Sequence, residues 1–192
     1  MMDSLLNLDL QVFLAINQCG SNAFFDWLMP ILRNPYTWAP LYLFILVFFI
    51  RTYKKRGVIM VLFFVLSFAT ADFLTASVIK PQVKRIRPCN EVSLKEHIHT
   101  RVRCGSGYSF PSAHAANHFA MGIFLLGTFY RKWKAIIPLS LLWACSISFA
   151  QVYVGVHYPI DILCGAILGS CIGLLMSKLF FIASPLRTQT KE

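Results

Sequence analysis

Two histidines and their polar neighbours stand at positions where helices are expected to begin. Ser112 and His114 open one apolar segment, and His157 and Asp161 flank Pro159 at the start of another. The first turn of a helix has unpaired N–H groups and the positive end of the helix dipole, and both favour phosphate. Asp161 can reach back to His157, fix one ring nitrogen as a donor and leave the other free to attack. These residue types at this spacing predict phosphoryl transfer through a histidine nucleophile.

Three cations, Lys80, Arg85 and Arg87, follow an earlier apolar segment. Polar groups at the ends of membrane helices are costly without a partner or a function. Cations beside a hydroxyl and two imidazoles suit an anion whose apolar tail lies in the bilayer. Two simpler interpretations stay open: Lys80 and Arg87 could only extend to lipid headgroups, and Asp161 could be only a helix-start anion. Asp72, two turns before Lys80, is expected to have a structural partner rather than a catalytic role.

The elements that position these groups are predicted from hydropathy. The 192 residues are 57% hydrophobic, with a mean hydropathy of +0.61, which exceeds what a soluble core of this size needs. A helix requires about 20 mostly apolar residues to cross a bilayer. The sequence therefore predicts an all-α polytopic membrane bundle of about five crossings. The expected spans are Trp38 to Ile50, Gly57 to Ile79, Ala115 to Tyr130, Ala135 to Gly155 and Pro159 to Ile182.

Residues 1–192 are expected to form one domain in three parts. Residues 1–34 predict interfacial helices, residues 35–183 the transmembrane bundle with an outer loop at 80–111, and residues 184–192 a cytoplasmic tail. The charges of short loops set the orientation. The cations expected inside are Arg51, Lys54, Lys55, Arg56, Arg131, Lys132, Lys134, Arg187 and Lys191. The outer loop lies outside despite its own cations, which predicts that those cations serve a site.

Three ordered motifs resemble those of the type 2 phosphatidic acid phosphatase superfamily. They are Lys80-x6-Arg87-Pro88, then Pro111-Ser112-Ala113-His114, then Gly155-Val156-His157-Tyr158-Pro159-Ile160-Asp161. Their order, with a membrane span between the second and the third, makes the resemblance specific. It implies that His157 becomes phosphorylated, that His114 protonates the leaving group and that Asp161 orients His157. It also implies that Lys80, Arg87, Ser112 and the backbone around Ala113 bind the phosphoryl oxygens, without a metal or other cofactor.

Two positions depart from the family pattern. Ala113 stands where glycine is commonest, and Gln151 stands where the family usually carries arginine. The second change is the larger, because an amide replaces a bidentate, charged phosphate ligand. Each hydrogen bond to a charged group contributes about 1.5 to 3 kcal/mol. We therefore expect Gln151 to bind the phosphate more weakly than an arginine would. We also expect a loop arginine to point into the site as a substitute, with Arg103 as the first candidate and Arg101 as the second.

The cysteines divide by position. Cys145, Cys164 and Cys171 lie in predicted spans and are expected to be small packing residues. Cys89 and Cys104 both lie in the outer loop, where an oxidising compartment would allow a disulfide that restrains the loop. A zinc site is not expected, because no further ligands have a suitable spacing.

The expected function is that of a metal-independent lipid phosphatase in a bacterial inner membrane, with its site facing the periplasm. Undecaprenyl diphosphate is the first expected substrate, because small bacterial members of the family commonly recycle that carrier. Phosphatidylglycerophosphate, phosphatidic acid and lipid A phosphate fit the same cations. A non-catalytic lipid-binding relative is the alternative that Gln151 suggests.

The net charge of +10 does not indicate a nucleic-acid partner, because the cations cluster between apolar runs. A soluble vanadate-dependent peroxidase would share the anion chemistry but not this composition.

Overall fold

The computed structural model describes residues 2–185, and these residues form helices and loops without a strand. The helices are α1 (Met2–Leu14), α2 (Ala23–Arg33), α3 (Ala39–Phe73), α4 (Lys80–Val83), α5 (Ala113–Phe129), α6 (Ile136–Tyr153) and α7 (Pro159–Ala183). Wider helical turns at Ala15–Cys19 and Leu74–Ile79 follow α1 and α3, and tighter ones occur at Pro35–Trp38, Pro88–Asn90 and Val92–Leu94. The all-α fold expected from hydropathy is confirmed. Arg187 and Lys191 of the predicted tail lie outside the described residues.

α3 turns back on itself near its middle. The backbone of Lys54 leaves the helical region, at φ 53° and ψ −127°. The rings of Phe49 and Phe64 consequently meet, with their centroids 6.3 Å apart. Gly57 is required at this turn, because a Cβ there would overlap the carbonyl oxygen of Phe49. The element therefore has two arms, residues 39–53 and 55–73, which correspond to the first two predicted spans.

The long helices have surfaces suited to lipid. The stretches Pro35–Val83, Ile136–Tyr153 and Pro159–Ala183 are long and apolar enough to cross a membrane. Large apolar side chains such as Leu62, Leu142 and Ile167 point outward from them and are exposed. Water would solvate such a surface poorly, whereas lipid tails accept it. The chain is therefore a membrane protein, and the total of five crossings stays a prediction.

α5 and α7 form the centre of the bundle and pack in parallel at close range. α7 presents Gly165, Gly169 and Gly173 to α5, one glycine about every turn. A Cβ at Gly169 would overlap the backbone carbonyl of Ala116, and one at Gly173 would lie 2.5 Å from the carbonyl oxygen of Ala120. Small residues on facing membrane helices permit such close approach. This contact places the start of α7 beside the start of α5, where the two motif histidines lie.

The N-terminal helices pack against the same end of the bundle. Asn17, fully buried after α1, donates to the backbone carbonyls of His99 and Tyr153, each at 2.9 Å. It also accepts a hydrogen bond from the His99 N–H at 2.8 Å. Phe13 packs on the ring of Tyr158, with centroids 5.4 Å apart. The predicted interfacial segment is thus fastened to the outer loop and to the start of α7.

Candidate active site

His157 lies in the short loop that joins α6 to α7. Gly155, at φ 87°, allows the chain to turn there, and Pro159 begins the next helix. The His157 side chain is 2% exposed. Its Nδ1 lies 3.4 Å from Asp161 Oδ2, and the same carboxylate oxygen accepts a hydrogen bond from the Tyr158 N–H at 3.0 Å. The carboxylate therefore faces the Nδ1 side of the imidazole and leaves Nε2 as the ring nitrogen that can react.

Arg87 faces this reactive nitrogen. Its Nη1 lies 3.2 Å from His157 Nε2 and 3.3 Å from the carbonyl oxygen of Val156, and its Nε donates to the carbonyl of Gly107 at 2.8 Å. Because a guanidinium only donates, Nε2 must be the acceptor and Nδ1 must carry the proton toward Asp161. A phosphoryl group that approaches Nε2 would meet the guanidinium at once. Positive charge at that place stabilises the oxygens during transfer.

Burial keeps the His157 ring neutral. Loss of solvation, together with the charges of Arg87 and Lys80, lowers the pKa of His157 to about 4, against the opposing effect of the Asp161 carboxylate. The unprotonated imidazole therefore predominates at neutral pH. This is the form that a histidine nucleophile needs.

Arg85 links Asp161 to the N-terminal helix. Its Nη1 lies 2.7 Å from Asp161 Oδ1, and its Nη2 lies 2.6 Å from Asp9 Oδ2. Asp9 is 3% exposed and also accepts a hydrogen bond from the Ile160 N–H at 2.8 Å. The guanidinium lies 4.0 Å from the ring centroid of Tyr158. Two carboxylates thus engage Arg85, which makes it a structural cation that orients Asp161.

The start of α5 lies beside the start of α7. The Ser112 N–H donates to the backbone carbonyl of Asp161 at 2.9 Å, and Ser112 Oγ caps the helix by accepting from the Ala115 N–H at 3.4 Å. His114, in the first turn, is half-buried and within electrostatic range of His157. The two histidines singled out in the sequence therefore lie near each other at one end of the bundle.

Two polar pairs hold the first turns of α5. His118 donates from Nδ1 to the carbonyl of His114 at 2.8 Å and pairs through Nε2 with the Tyr42 hydroxyl at 2.9 Å. Asn117 donates to Asp72 Oδ1 at 2.9 Å. The partner of Asp72, left open by the sequence, is therefore a side-chain amide on the neighbouring helix.

Lys80 and Arg33 add positive charge around the histidines. Lys80, at the start of α4, is within electrostatic range of Arg87 and Asp161. Arg33, the last residue of α2, is within range of Arg87 and His114. Neither cation forms an ion pair within residues 2–185, and Arg33 Nε is buried there without a hydrogen-bond partner. Cations that repel one another and form no direct ion pair suit an anionic ligand.

The other predicted phosphate ligands lie in dissimilar surroundings. Ala113 is the first residue of α5, so its N–H belongs to the unpaired helix start. Gln151 is fully buried in α6, and neither polar atom of its side chain has a partner in the described part of the chain. Arg103 is exposed on the outer loop and makes no side-chain hydrogen bond with any described residue. The structure thus favours Arg33 over Arg103 as the cation that substitutes for the arginine absent at position 151.

The outer loop is fastened on both sides of the site. Cys89 and Cys104 form a disulfide, with their Cα atoms 6.0 Å apart. Arg101 pairs with Asp26 of α2 at 2.5 Å and therefore serves to dock the loop. These links restrain the segment that carries Arg87.

An apolar cavity of about 450 Å³ opens beside His114. It lies between α5 and the arms of α3, and its wall includes Tyr42, Phe64, Phe68 and Met121. The polar groups of the cavity lie at the histidine end. An alkyl chain could occupy this space while its headgroup reaches the histidines.

Sequence reasoning missed two residues of this site, Asp9 and Arg33. An aspartate between Leu8 and Leu10 is unusual in an apolar run and gave a usable signal for the first. Arg33 follows an amphipathic helix and has no comparable signal. Within residues 2–185, no group of three or more His, Cys, Asp or Glu side chains is arranged to hold a metal ion.

Residues 60–184 match the PAP2 superfamily. The chain is 34% identical over 195 aligned residues to the lipid A 4'-phosphatase of Bacteroides thetaiotaomicron, an alignment that covers 100% of this chain and 84% of that protein. It is 32% identical over 140 residues to the undecaprenyl-diphosphatase of Sulfolobus acidocaldarius, which covers 73% of this chain and 62% of that protein.

Two solved structures share the fold. The crystal structure of LpxE from Aquifex aeolicus superposes with a TM-score of 0.72 at 24% identity, over 89% of this chain and 95% of that one. The transmembrane PAP2-type phosphatidylglycerolphosphate phosphatase of Bacillus subtilis superposes with a TM-score of 0.75 at 22% identity, over 96% of this chain and 90% of that one. The helical arrangement is therefore that of membrane proteins of this superfamily.

Proposed function

The chain belongs to the PAP2 superfamily and is a membrane lipid phosphatase, and we propose that it removes a phosphate group from a lipid A-type glycolipid through a phosphohistidine at His157. The observation that supports the chemistry is the setting of one ring. His157 presents Nδ1 to Asp161 at 3.4 Å and Nε2 to Arg87 at 3.2 Å. The neutral imidazole of His157 is then the nucleophile, and the guanidinium of Arg87 beside it stabilises the negative charge that develops on the phosphoryl oxygens.

The first half-reaction forms the covalent intermediate. His157 Nε2 attacks phosphorus, the N–P bond forms, and the bond from phosphorus to the lipid oxygen breaks on the opposite side. His114, protonated in the bound complex, gives its proton to the departing lipid alcohol. Arg87, Lys80 and Arg33 bind the three phosphoryl oxygens together with the N–H group of Ala113.

The second half-reaction releases phosphate. His114, now neutral, takes a proton from water while the water oxygen attacks phosphorus. The N–P bond breaks, its electron pair returns to His157 Nε2, and inorganic phosphate leaves. Asp161 keeps the Nδ1 proton in place in both steps, so that the ring alternates between imidazole and phosphorylated imidazolium without changing its orientation.

The relatives support the lipid A class over the carrier lipid that the sequence first suggested. The alignment with the Bacteroides lipid A 4'-phosphatase extends over the whole chain, N-terminal helices included, whereas that with the undecaprenyl-diphosphatase covers 73% of it. Arg33 belongs to those N-terminal helices. Undecaprenyl diphosphate is the second candidate, because the same cations would bind a diphosphate. We further propose that the reaction needs no metal ion and occurs at the periplasmic face of a bacterial inner membrane.

The test is phosphate release by the purified protein in detergent. The substrates are lipid A, undecaprenyl diphosphate and phosphatidylglycerophosphate, each assayed with and without a chelator. We expect the highest kcat/KM on lipid A and no effect of the chelator. We expect His157→Ala to lower turnover by at least about a thousandfold, whereas His97→Ala, a matched change of an exposed loop histidine, leaves it unchanged.

Two failures would be distinguishable. Turnover of only undecaprenyl diphosphate would contradict the substrate class and leave the histidine mechanism standing. A His157→Ala variant with wild-type turnover would contradict the mechanism. Rapid acid-free quenching of a reaction with 32P-labelled lipid should also recover label on the wild-type protein and none on His157→Ala.

A further inference from the structure

A second cavity lies at the end of the bundle opposite to the histidines. It has a volume of about 550 Å³ and lies open between the second arm of α3, the end of α5 and the end of α7. Four cations line it: Arg56, Arg131, Lys132 and Lys178. α5 has 17 residues between the two ends, so the cavity is about 25 Å from the histidines. The proposed lipid phosphatase reaction does not use it.

Arg56 is drawn into this cavity rather than out to solvent. Its guanidinium carbon lies 5.3 Å from the ring centroid of Phe180 and 5.9 Å from that of Phe181. Its Nε is buried and has no hydrogen-bond partner among the described residues. Buried donors almost always have an acceptor. This N–H is closed to any ligand, so the two terminal nitrogens of Arg56, which form no hydrogen bond with a described residue, are the donors left for an anion from outside the chain.

The charge of the cavity has no internal compensation. None of the residues that line it is acidic, and none of the four cations forms an ion pair within the described ranges. Lys132 instead lies 5.7 Å from the ring centroid of Tyr53, and Arg131 donates from Nε to the Tyr130 hydroxyl at 2.9 Å. Orientation in the membrane requires only exposed cations in short loops. Arg131, Lys132 and Lys178 are exposed and would satisfy that requirement, but it does not explain why the guanidinium of Arg56 lies over the rings of Phe180 and Phe181.

The walls of the cavity indicate what carries the anion. Met60, Leu174 and Phe180 contribute apolar surface next to the cations. On the outside, α7 continues with the exposed side chains Leu175 and Leu179, which lipid tails would cover. Basic pockets between membrane helices typically bind anionic lipid headgroups. A free phosphate would engage the cations and leave the apolar wall unused.

We propose that this cavity binds the phosphodiester headgroup of an anionic phospholipid, at a site separate from the catalytic one. The phosphate oxygens accept from the terminal nitrogens of Arg56 and from the neighbouring cations, and the acyl chains lie along α7. A phosphodiester with a small polar headgroup, such as phosphatidylglycerol, fits these requirements. The proposed site therefore lies between the reversal of α3 near Lys54 and the ends of α5 and α7.

The test is lipid binding by the purified protein in a neutral detergent, followed by native mass spectrometry and by thermal unfolding. The probes are dioleoylphosphatidylglycerol, dioleoylphosphatidylcholine and inorganic phosphate. We expect only phosphatidylglycerol to bind in the micromolar range and to raise the Tm. Arg56→Gln combined with Lys178→Gln should weaken that binding at least about tenfold, since each charge-assisted hydrogen bond contributes that much.

The control is Arg51→Gln combined with Lys55→Gln. It removes the same charge from the same end of the bundle at two exposed positions that do not line the cavity. We expect it to change the affinity by less than about twofold. Arg87→Gln, at the catalytic end, should also leave the affinity unchanged.

Several results would overturn the proposal. They are equal weakening by the two double variants, a loss of affinity in Arg87→Gln, and a Tm rise with inorganic phosphate or phosphatidylcholine that matches phosphatidylglycerol. If the glutamine pair does not fold, Arg56→Lys decides. It keeps the charge but lacks the forked pair of terminal donors, so binding should weaken severalfold, and wild-type affinity would contradict the site.

Discussion

Arg85 and Arg87 stand two residues apart and have different roles. Arg85 is held by Asp9 and Asp161 at 2.6 and 2.7 Å, whereas Arg87 bonds backbone carbonyls and the Nε2 atom of His157. A guanidinium already paired with two carboxylates has little attraction left for phosphate. One that faces carbonyls and an imidazole keeps its charge available. The contrast separates the cation that orients the carboxylate from the one that meets substrate.

The first prediction concerns Arg33. Arg33→Gln should lower kcat/KM at least about tenfold, because the phosphate loses a charge-assisted hydrogen bond worth about 1.5 to 3 kcal/mol. The effect is expected mainly in KM if Arg33 contacts the phosphate before and during transfer. Steady-state phosphate release from lipid A measures both parameters.

Arg103→Gln is the matched control, because it removes the same group from an exposed loop position. It should retain at least half of the wild-type kcat/KM. A large loss in Arg103→Gln together with an active Arg33→Gln would restore the original expectation from the sequence. The same result would remove Arg33 from the site.

At this scale the sequence predicts residues that are close along the chain or belong to an ordered motif. Asp161 follows His157 by one helical turn, so their contact can be inferred from spacing alone. Asp9 bonds Ile160 across 151 residues, and Arg33 comes within electrostatic range of His114 through the packing of separate helices. No local pattern encodes such contacts. Gln151 differs from both. The sequence alone reveals that it departs from the family motif, but only the structure reveals that its side chain has no hydrogen-bond partner among the described residues.

At the scale of elements, hydropathy predicts where helices run and side-chain chemistry decides where they end. The last predicted span, Pro159 to Ile182, differs from α7 by one residue, and the predicted span from Ala115 differs from the start of α5 by two. The shift at α5 follows from Ser112, whose hydroxyl caps the helix ahead of the apolar run. The sequence predicts a loop between two spans around Lys54. The structure has a sharper reversal there, because Gly57 has no Cβ and its backbone can approach the carbonyl oxygen of Phe49 closely.

The second prediction tests the packing of α5 against α7. Gly169→Ala should lower the free energy of unfolding by about 1 to 3 kcal/mol, because its Cβ would overlap the carbonyl of Ala116 in a closely packed interface. This cost exceeds the gain in helix propensity of up to about 1 kcal/mol. The Tm in detergent should fall by about 2 to 4 °C per kcal/mol. Turnover should also fall, since the two helix starts move apart.

Gly107→Ala is the control for that change. A Cβ at Gly107 would meet no atom within 4 Å, so the same substitution should leave the Tm within about 1 °C. If Gly169→Ala were as stable and as active as Gly107→Ala, the close approach of the two helices would not position the histidines.

At the scale of the whole molecule, the two ends of the bundle differ in how charge is balanced. At the histidine end, the buried carboxylates of Asp9 and Asp161 pair with Arg85. Arg85 therefore has a structural role, and the other cations at this end stay available for substrate. At the opposite end, Arg56 and Lys178 line a cavity that has no acidic residue. The first end therefore has internal ion pairs that hold its geometry, whereas at the second end the proposed lipid phosphate would supply the balancing charge. The N-terminal helices pack at the first end, and their interfacial position in the membrane stays a prediction.

The third prediction tests whether α1 contributes to catalysis through Asp9. Asp9→Asn keeps the size of the side chain and an oxygen for the Ile160 N–H, but it removes one of the two carboxylates that hold Arg85. The loss of a charge-assisted hydrogen bond should lower the free energy of unfolding by about 1 to 3 kcal/mol. Arg85 then pulls more strongly on Asp161, so the Nδ1 side of His157 loses part of its support. We expect kcat to fall about tenfold with little change in KM, because the carboxylate acts on the nucleophile and not on bound substrate.

Asp3→Asn, the same change at an exposed position of α1, should alter neither kcat nor Tm. A lower Tm with wild-type kcat in Asp9→Asn would restrict α1 to a structural role, and measurement of both quantities on the same preparations separates the two outcomes.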